Sequence, residues 1–133
     1  MDILCNVMSE HKFDIVVGSS MGGATIVEAL ARQGQLFQCP VLLLAPAQKT
    51  VRKKFSVSDE GSFDPQSGLM SVSTMYSEIN RYRKECPTGL QKLVIVHGAK
   101  DTVVSIDDSK EFASNVVGAE LIEVGGNLST SLR

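Results

Sequence analysis

The 133-residue sequence has no tryptophan, only three cysteines and two histidines, and no uninterrupted apolar stretch of membrane-spanning length. Each shortage excludes something. Cys5, Cys39 and Cys86 show no C-x-x-C spacing and leave an odd thiol if two of them pair, which argues against a disulfide framework and against a zinc site. Aromatic residues make up 5% of the chain while hydrophobic residues make up 43%, so the core has to be aliphatic. A spanning helix needs about 20 consecutive apolar residues, and no segment approaches that. The opening residues mix Asp2, Asn6, Glu10 and His11 with short apolar stretches, unlike the basic start and apolar run of a secretory signal. Basic and acidic side chains number 13 and 15, for a formal net charge of -2, and no field of one sign is available to hold a nucleic acid. These features predict one compact domain in the cytoplasm.

What the chain does have is four short runs rich in β-branched residues or leucine: Phe13 to Val17, Val41 to Ala45, Leu93 to Val96 and Glu120 to Val124. They are apolar at nearly every position, as strands buried on both faces of a parallel sheet are. Ile26, Val27, Leu30 and Ala31 repeat at helical spacing between the first two runs, and Gly34 is a stop signal. Between the last two, Ser105 and Asp108 resemble a capping box ahead of an apolar stripe of Ile106, Phe112, Ala113 and Val116. The alternation predicts an α/β fold with a mainly parallel sheet of about four strands, covered by helices on its faces. Pro46 to Gly89 is longer than one crossover helix needs and reads as a cap-like or loop insertion. It holds a helix over Ser73 to Cys86 and a polar loop, Ser56 to Gly68. The basic cluster Lys49, Arg52, Lys53 and Lys54 reads as solvated surface, with an anionic partner as the alternative.

Gly18-Ser19-Ser20-Met21-Gly22 matches G-x-S-x-G and falls directly after a strand and before a helix. To raise a serine oxygen at the tip of a sheet, the chain must reverse within a few residues, and glycine at 18 and 22 is expected to remove collisions in that turn. The helix then aims its amino end at Ser20, placing the N–H of Met21 to bind an oxyanion. A phosphate-binding loop would need lysine where Ala24 stands. A dinucleotide fingerprint would need a second glycine where Ser20 stands. A tight turn without chemistry is the plain alternative.

The run from Phe13 to Gly23 resembles the nucleophile strand and elbow of the α/β-hydrolase superfamily, in its small esterase, lipase and thioesterase-like branch. Leu93 to Val104, which contains His97-Gly98-Ala99-Lys100-Asp101-Thr102-Val103-Val104, is similar to that family's strand and loop for the triad acid. The resemblance implies Ser20 as nucleophile, Asp101 as the acid orienting an imidazole, Met21 as an oxyanion donor, and Gly18 and Gly22 as elbow glycines. It implies no cofactor and no metal, and a small-molecule ester or thioester as substrate. Ala119 to Gly126 is similar to the family's last strand and the glycines before its catalytic histidine, yet Asn127-Leu128-Ser129 follows and no histidine occurs after His97. The family uses the histidine of that acid motif structurally. A catalytically impaired hydrolase-fold fragment or binding module is therefore the competing expectation. The resemblance covers the later part of the family's fold, with the earlier strands and the second oxyanion donor outside it. Met1 to Glu10 then corresponds to the helix entering the nucleophile strand, with Ile3, Leu4, Val7 and Met8 packing inward. The first strand would present an unpaired edge, so self-association is expected.

Overall fold

A computed structural model describes residues 2–54, 68–86 and 89–125. The elements run α1 (Asp2–Glu10), β1 (Val16–Ser19), α2 (Met21–Gln33), a 3-10 turn (Gly34–Leu36), β2 (Val41–Leu44), α3 (Gln48–Lys54), α4 (Val72–Glu85), β3 (Leu93–Gly98), α5 (Ile106–Asn115) and β4 (Ala119–Val124). All four strands pair in parallel in the order β1-β2-β3-β4. β1 starts three residues later than the apolar run suggests. Pairing begins where the Val16 N–H reaches Pro40 O, so Phe13 and Ile15 lead into the strand without joining it.

Strands that neighbour in sequence order, joined by right-handed crossovers, send every connecting helix to the same side. The burial shows it. Val16, Val41, Leu93 and Ala119 share one row across the sheet, and Gly18, Leu43, Ile95 and Leu121 share another. Apart from Gly18, these residues join the main core with Cys5 and Met8 of α1, Leu30 of α2, Met75 and Ile79 of α4 and Phe112 of α5. The alternate rows are Val17-Leu42-Val94-Glu120 and Ser19-Leu44-Val96-Ile122, and none of these residues belongs to a buried cluster. Val17 is 51% exposed and Ile122 48%. The expectation of helices on both faces is thus corrected: among the described residues one face is lined and the other is open.

The helices follow local signals. Ser71 caps α4 by accepting from Thr74 N–H, and Val72, Met75, Tyr76, Ile79 and Tyr82 then bury one stripe. Ser105 caps α5, but its side chain accepts from Asp107 N–H, one residue earlier than a capping box would have it. In α1 the inward face is Cys5 and Met8, with Leu4 partly buried. Ile3 is 81% exposed and Val7 is also exposed, so two of the four residues expected to pack inward do not.

Residues 46–89 include α3 and α4, and α4 contributes to the main core. The polar loop falls, except for Gly68, outside the described residues. The basic cluster divides: Lys53 and Lys54 are exposed, Lys49 pairs with Glu111 at 2.9 Å, and Arg52 is buried. Arg52 donates to Glu28, itself 2% exposed, to Met70 O at 2.8 Å and to Gln48 O at 3.0 Å. Glu28 also accepts from Arg32 Nε and from Met70 N–H, each at 3.1 Å. A buried charge survives only with such a full set of partners. Glu28 sits inside an otherwise apolar helical run, Ile26 to Ala31, and a lone carboxylate in such a run is a sequence signal for a buried partner.

Candidate active site

Ser20 occupies the junction between β1 and α2, with φ 52° and ψ -111°. Residues with a Cβ avoid this region at a cost of about 1–3 kcal/mol unless their surroundings impose it. Three backbone hydrogen bonds impose it here. Ser20 N–H donates to Leu44 O at 2.9 Å, while Ser20 O accepts from the N–H groups of Ala24 and Ala47, each at 3.0 Å. The first bond fixes the turn to β2, the second opens α2, and the third ties in the approach to α3. The Ser20 side chain does not cap α2, so the leading N–H groups of the helix, Met21 among them, have no intrahelical acceptor and face the serine end of the turn.

Among the described residues, only Ser20 and Ala45 combine a side chain with positive φ, the latter at 44°. Ala45 follows β2 and donates to Val96 O at 2.9 Å, so two adjacent strand ends on one sheet edge are both held in unusual conformations. Nothing in the local sequence marks Ala45. The glycines divide as well. A Cβ on Gly18 would collide with the end of Ile26 and lie 2.9 Å from Gly22 O. A Cβ on Gly23 would stand 3.0 Å from Pro46 Cα. A Cβ on Gly22 would meet nothing within 4 Å. The steric reason expected for both flanking glycines therefore holds at Gly18, fails at Gly22 and passes to Gly23.

Asp101 emerges just beyond β3, on the same edge as Ser20. The ends of β1 and β3 are separated by β2, which places them about 10 Å apart. The two loops also share packing, since Ala24, Ala47 and Val104 form one small buried cluster with Val51 against it. Asp101 Oδ1 accepts from the N–H groups of Val103 and Val104, both at 2.9 Å, which closes its loop. Oδ2 stands 3.6 Å from His97 Nε2.

His97 is fully buried. Its Nε2 lies 2.7 Å from Val104 O and its Nδ1 lies 2.6 Å from Ser109 Oγ. A carbonyl can only accept, so Nε2 carries a hydrogen. The imidazole thereby fastens the end of β3, the Asp101 loop and α5 to one another, and neither nitrogen is left to receive a proton from Ser20. Ser109, a buried residue, is the partner that the sequence did not disclose. His11 precedes β1 and is exposed at the other end of the sheet.

No protein-family model matches the chain, and no curated protein matches it significantly. Solved structures do. The chain superposes on Est1E from Butyrivibrio proteoclasticus with a TM-score of 0.59 and 20% identity, covering 92% of this chain and 57% of that one. A monoacylglycerol lipase from Paleococcus ferrophilus gives 0.56 and 13%, covering 95% and 64%. A CIB-like hydrolase from Thermoplasma acidophilum gives 0.51 and 24%, covering 86% and 41%. The chain thus spans roughly half the length of the structures it resembles. A parallel sheet in sequence order, a strained serine between its first strand and the next helix, and these superpositions together make this a partial α/β-hydrolase fold.

Proposed function

We propose that Ser20 is the nucleophile of a serine-hydrolase centre acting on a carboxylic ester or thioester, with Asp101 as the acid that orients an imidazole and the Met21 N–H as an oxyanion donor. The observation that carries this reading is the Ser20 backbone, at φ 52° directly before the first turn of α2. In acyl transfer the serine oxygen attacks the carbonyl carbon while its proton passes to a base. The carbonyl oxygen becomes an oxyanion facing the helix N–H groups, the alcohol or thiol leaves with a proton, and water releases the acid from Ser20. The lipase and hydrolase among the similar structures support the same class of chemistry.

His97 favours a second reading, a hydrolase-fold module in which acyl transfer is impaired. Both its ring nitrogens are occupied inside the fold, and without a base a serine hydroxyl is a poor nucleophile near neutral pH. A fluorophosphonate probe separates the two. Rapid labelling that disappears in Ser20→Ala establishes the first reading, and absence of labelling establishes the second. General-base assistance is worth about 10²–10⁴-fold. Leu128→His, at a position outside the described residues, is expected to raise labelling within that range if the missing base is the chief defect.

A second copy of the chain is the macromolecular partner we propose. Val16 and Ser20 direct their N–H groups to the β2 side, which turns those of Ile15, Val17 and Ser19 to an edge where no strand pairs among the described residues. Ile15 and Val17 are each 51% exposed beside it. Unpaired apolar edges recruit further strands.

A further inference from the structure

We propose that the pocket beside Arg83, at the sheet edge opposite Ser20, binds a small anion through a carboxylate or phosphate group. The pocket has a volume of about 500 Å³ and is lined by Asn80, Arg83, Lys84, Leu90, Gln91, Val117 and Gly118. It lies where α4 ends and where β3 and β4 begin, so it shares no residue with the elbow.

Arg83 is set apart from the other described arginines. Arg32 and Arg52 pair with Glu28, and Arg81 pairs with Glu78 and Glu85. Arg83 makes no ion pair or hydrogen bond among the described residues, and its Nη1 is buried without an acceptor. Burial also lowers its pKa from the usual arginine value, with no carboxylate opposing the shift. A position in the last turn of α4 suits a cation, but it does not account for a guanidinium nitrogen, Nη1, that is buried without a partner. Buried polar groups without partners in a native fold call for a bound water or ion.

The turn before β4 closes against the guanidinium. Gly118 has a φ of 79°, which favours glycine, and a Cβ there would lie 2.9 Å from Arg83 Nη2, so the turn before β4 runs directly beside the guanidinium. Asn80 fixes the same turn: its side-chain amide donates to Asn115 O at 2.7 Å and its carbonyl accepts from Val117 N–H at 2.9 Å. Lys84 adds a second positive charge at the rim, while Leu90 and Val117 offer an apolar wall. A planar guanidinium recognises carboxylate or phosphate oxygens in pairs.

The test is calorimetric titration of the full chain with inorganic phosphate and, separately, with butyrate, the second arm distinguishing a carboxylate with an apolar arm from a phosphate. Saturable one-to-one binding of either anion is expected, weakened about tenfold or more in Arg83→Met, as loss of a charge-assisted pair implies. Lys53→Met, at an exposed position of α3 away from the pocket, should leave it unchanged. Thermal melting checks that Arg83→Met folds, since the replacement removes an unpaired charge and keeps most of the stem. Absence of saturable binding by both anions, or equal affinity in a folded Arg83→Met, overturns the proposal. Because the readout does not involve Ser20, its outcome is independent of the hydrolase reading.

Discussion

The two faces of the sheet are built from nearly the same residues and meet opposite fates. Leu43 and Ile95 are sealed under α2, α4 and α5, whereas Leu42, Leu44, Val94 and Val96, one position away on the same strands, lie outside every buried cluster. The difference comes from topology alone. With strands in the order β1-β2-β3-β4, right-handed crossovers can cover only one side, so apolar side chains on the other side are left to whatever else arrives.

The largest effect should come from the covered side, at the buried pair of Arg52 and Glu28. Arg52→Ala takes from Glu28 its buried cation and leaves it only the more exposed Arg32 and the Met70 N–H, and is expected to cost about 3 kcal/mol in urea unfolding. A loss below about 1 kcal/mol would show that water reaches Glu28 and that the lined face is looser than drawn. Next come paired truncations across one strand. Leu43→Ala should cost about 2–5 kcal/mol through cavity formation, while its neighbour Leu44→Ala should cost about 1 kcal/mol because it forfeits only partial burial. Equal losses would mean that the open face is packed in solution. The smallest effect on folding is expected from Val17→Lys combined with Ile122→Lys, within about 0.5 kcal/mol per site. The same pair should abolish concentration-dependent association in sedimentation velocity. A wild-type chain that stays monomeric at every concentration would refute the second copy as partner.

Much of this was legible in the sequence for a simple reason: aliphatic runs flanked by glycine and capping serine admit few alternatives. The runs that begin at Val41 and Leu93 are strands as read, although β2 stops at Leu44, one residue short of the run, and β3 continues to Gly98; Ser105 caps α5. Ser20 sits at the tip of its turn because Gly18, where a Cβ would not fit, lets α2 pack close against β1, and three backbone bonds hold the serine there. Exposure of the second face was hidden because a run such as Val41-Leu42-Leu43-Leu44 lacks the polar alternation that marks a half-solvated strand. Arg52 was hidden for the converse reason. In Lys-Thr-Val-Arg-Lys-Lys nothing distinguishes the one side chain that turns inward, and its partner Glu28 lies on a different helix. The locking of His97 depends on Ser109, reached only after the chain has folded back through α5.

The bonds from Arg52 and Glu28 to the two backbone atoms of Met70 have a bearing on how this protein could change over time. They pin α3 and the start of α4 to α2, so Glu28, Arg52 and the backbone at residue 70 constrain one another, and a change at any of the three positions is expected to need an answering change at the others.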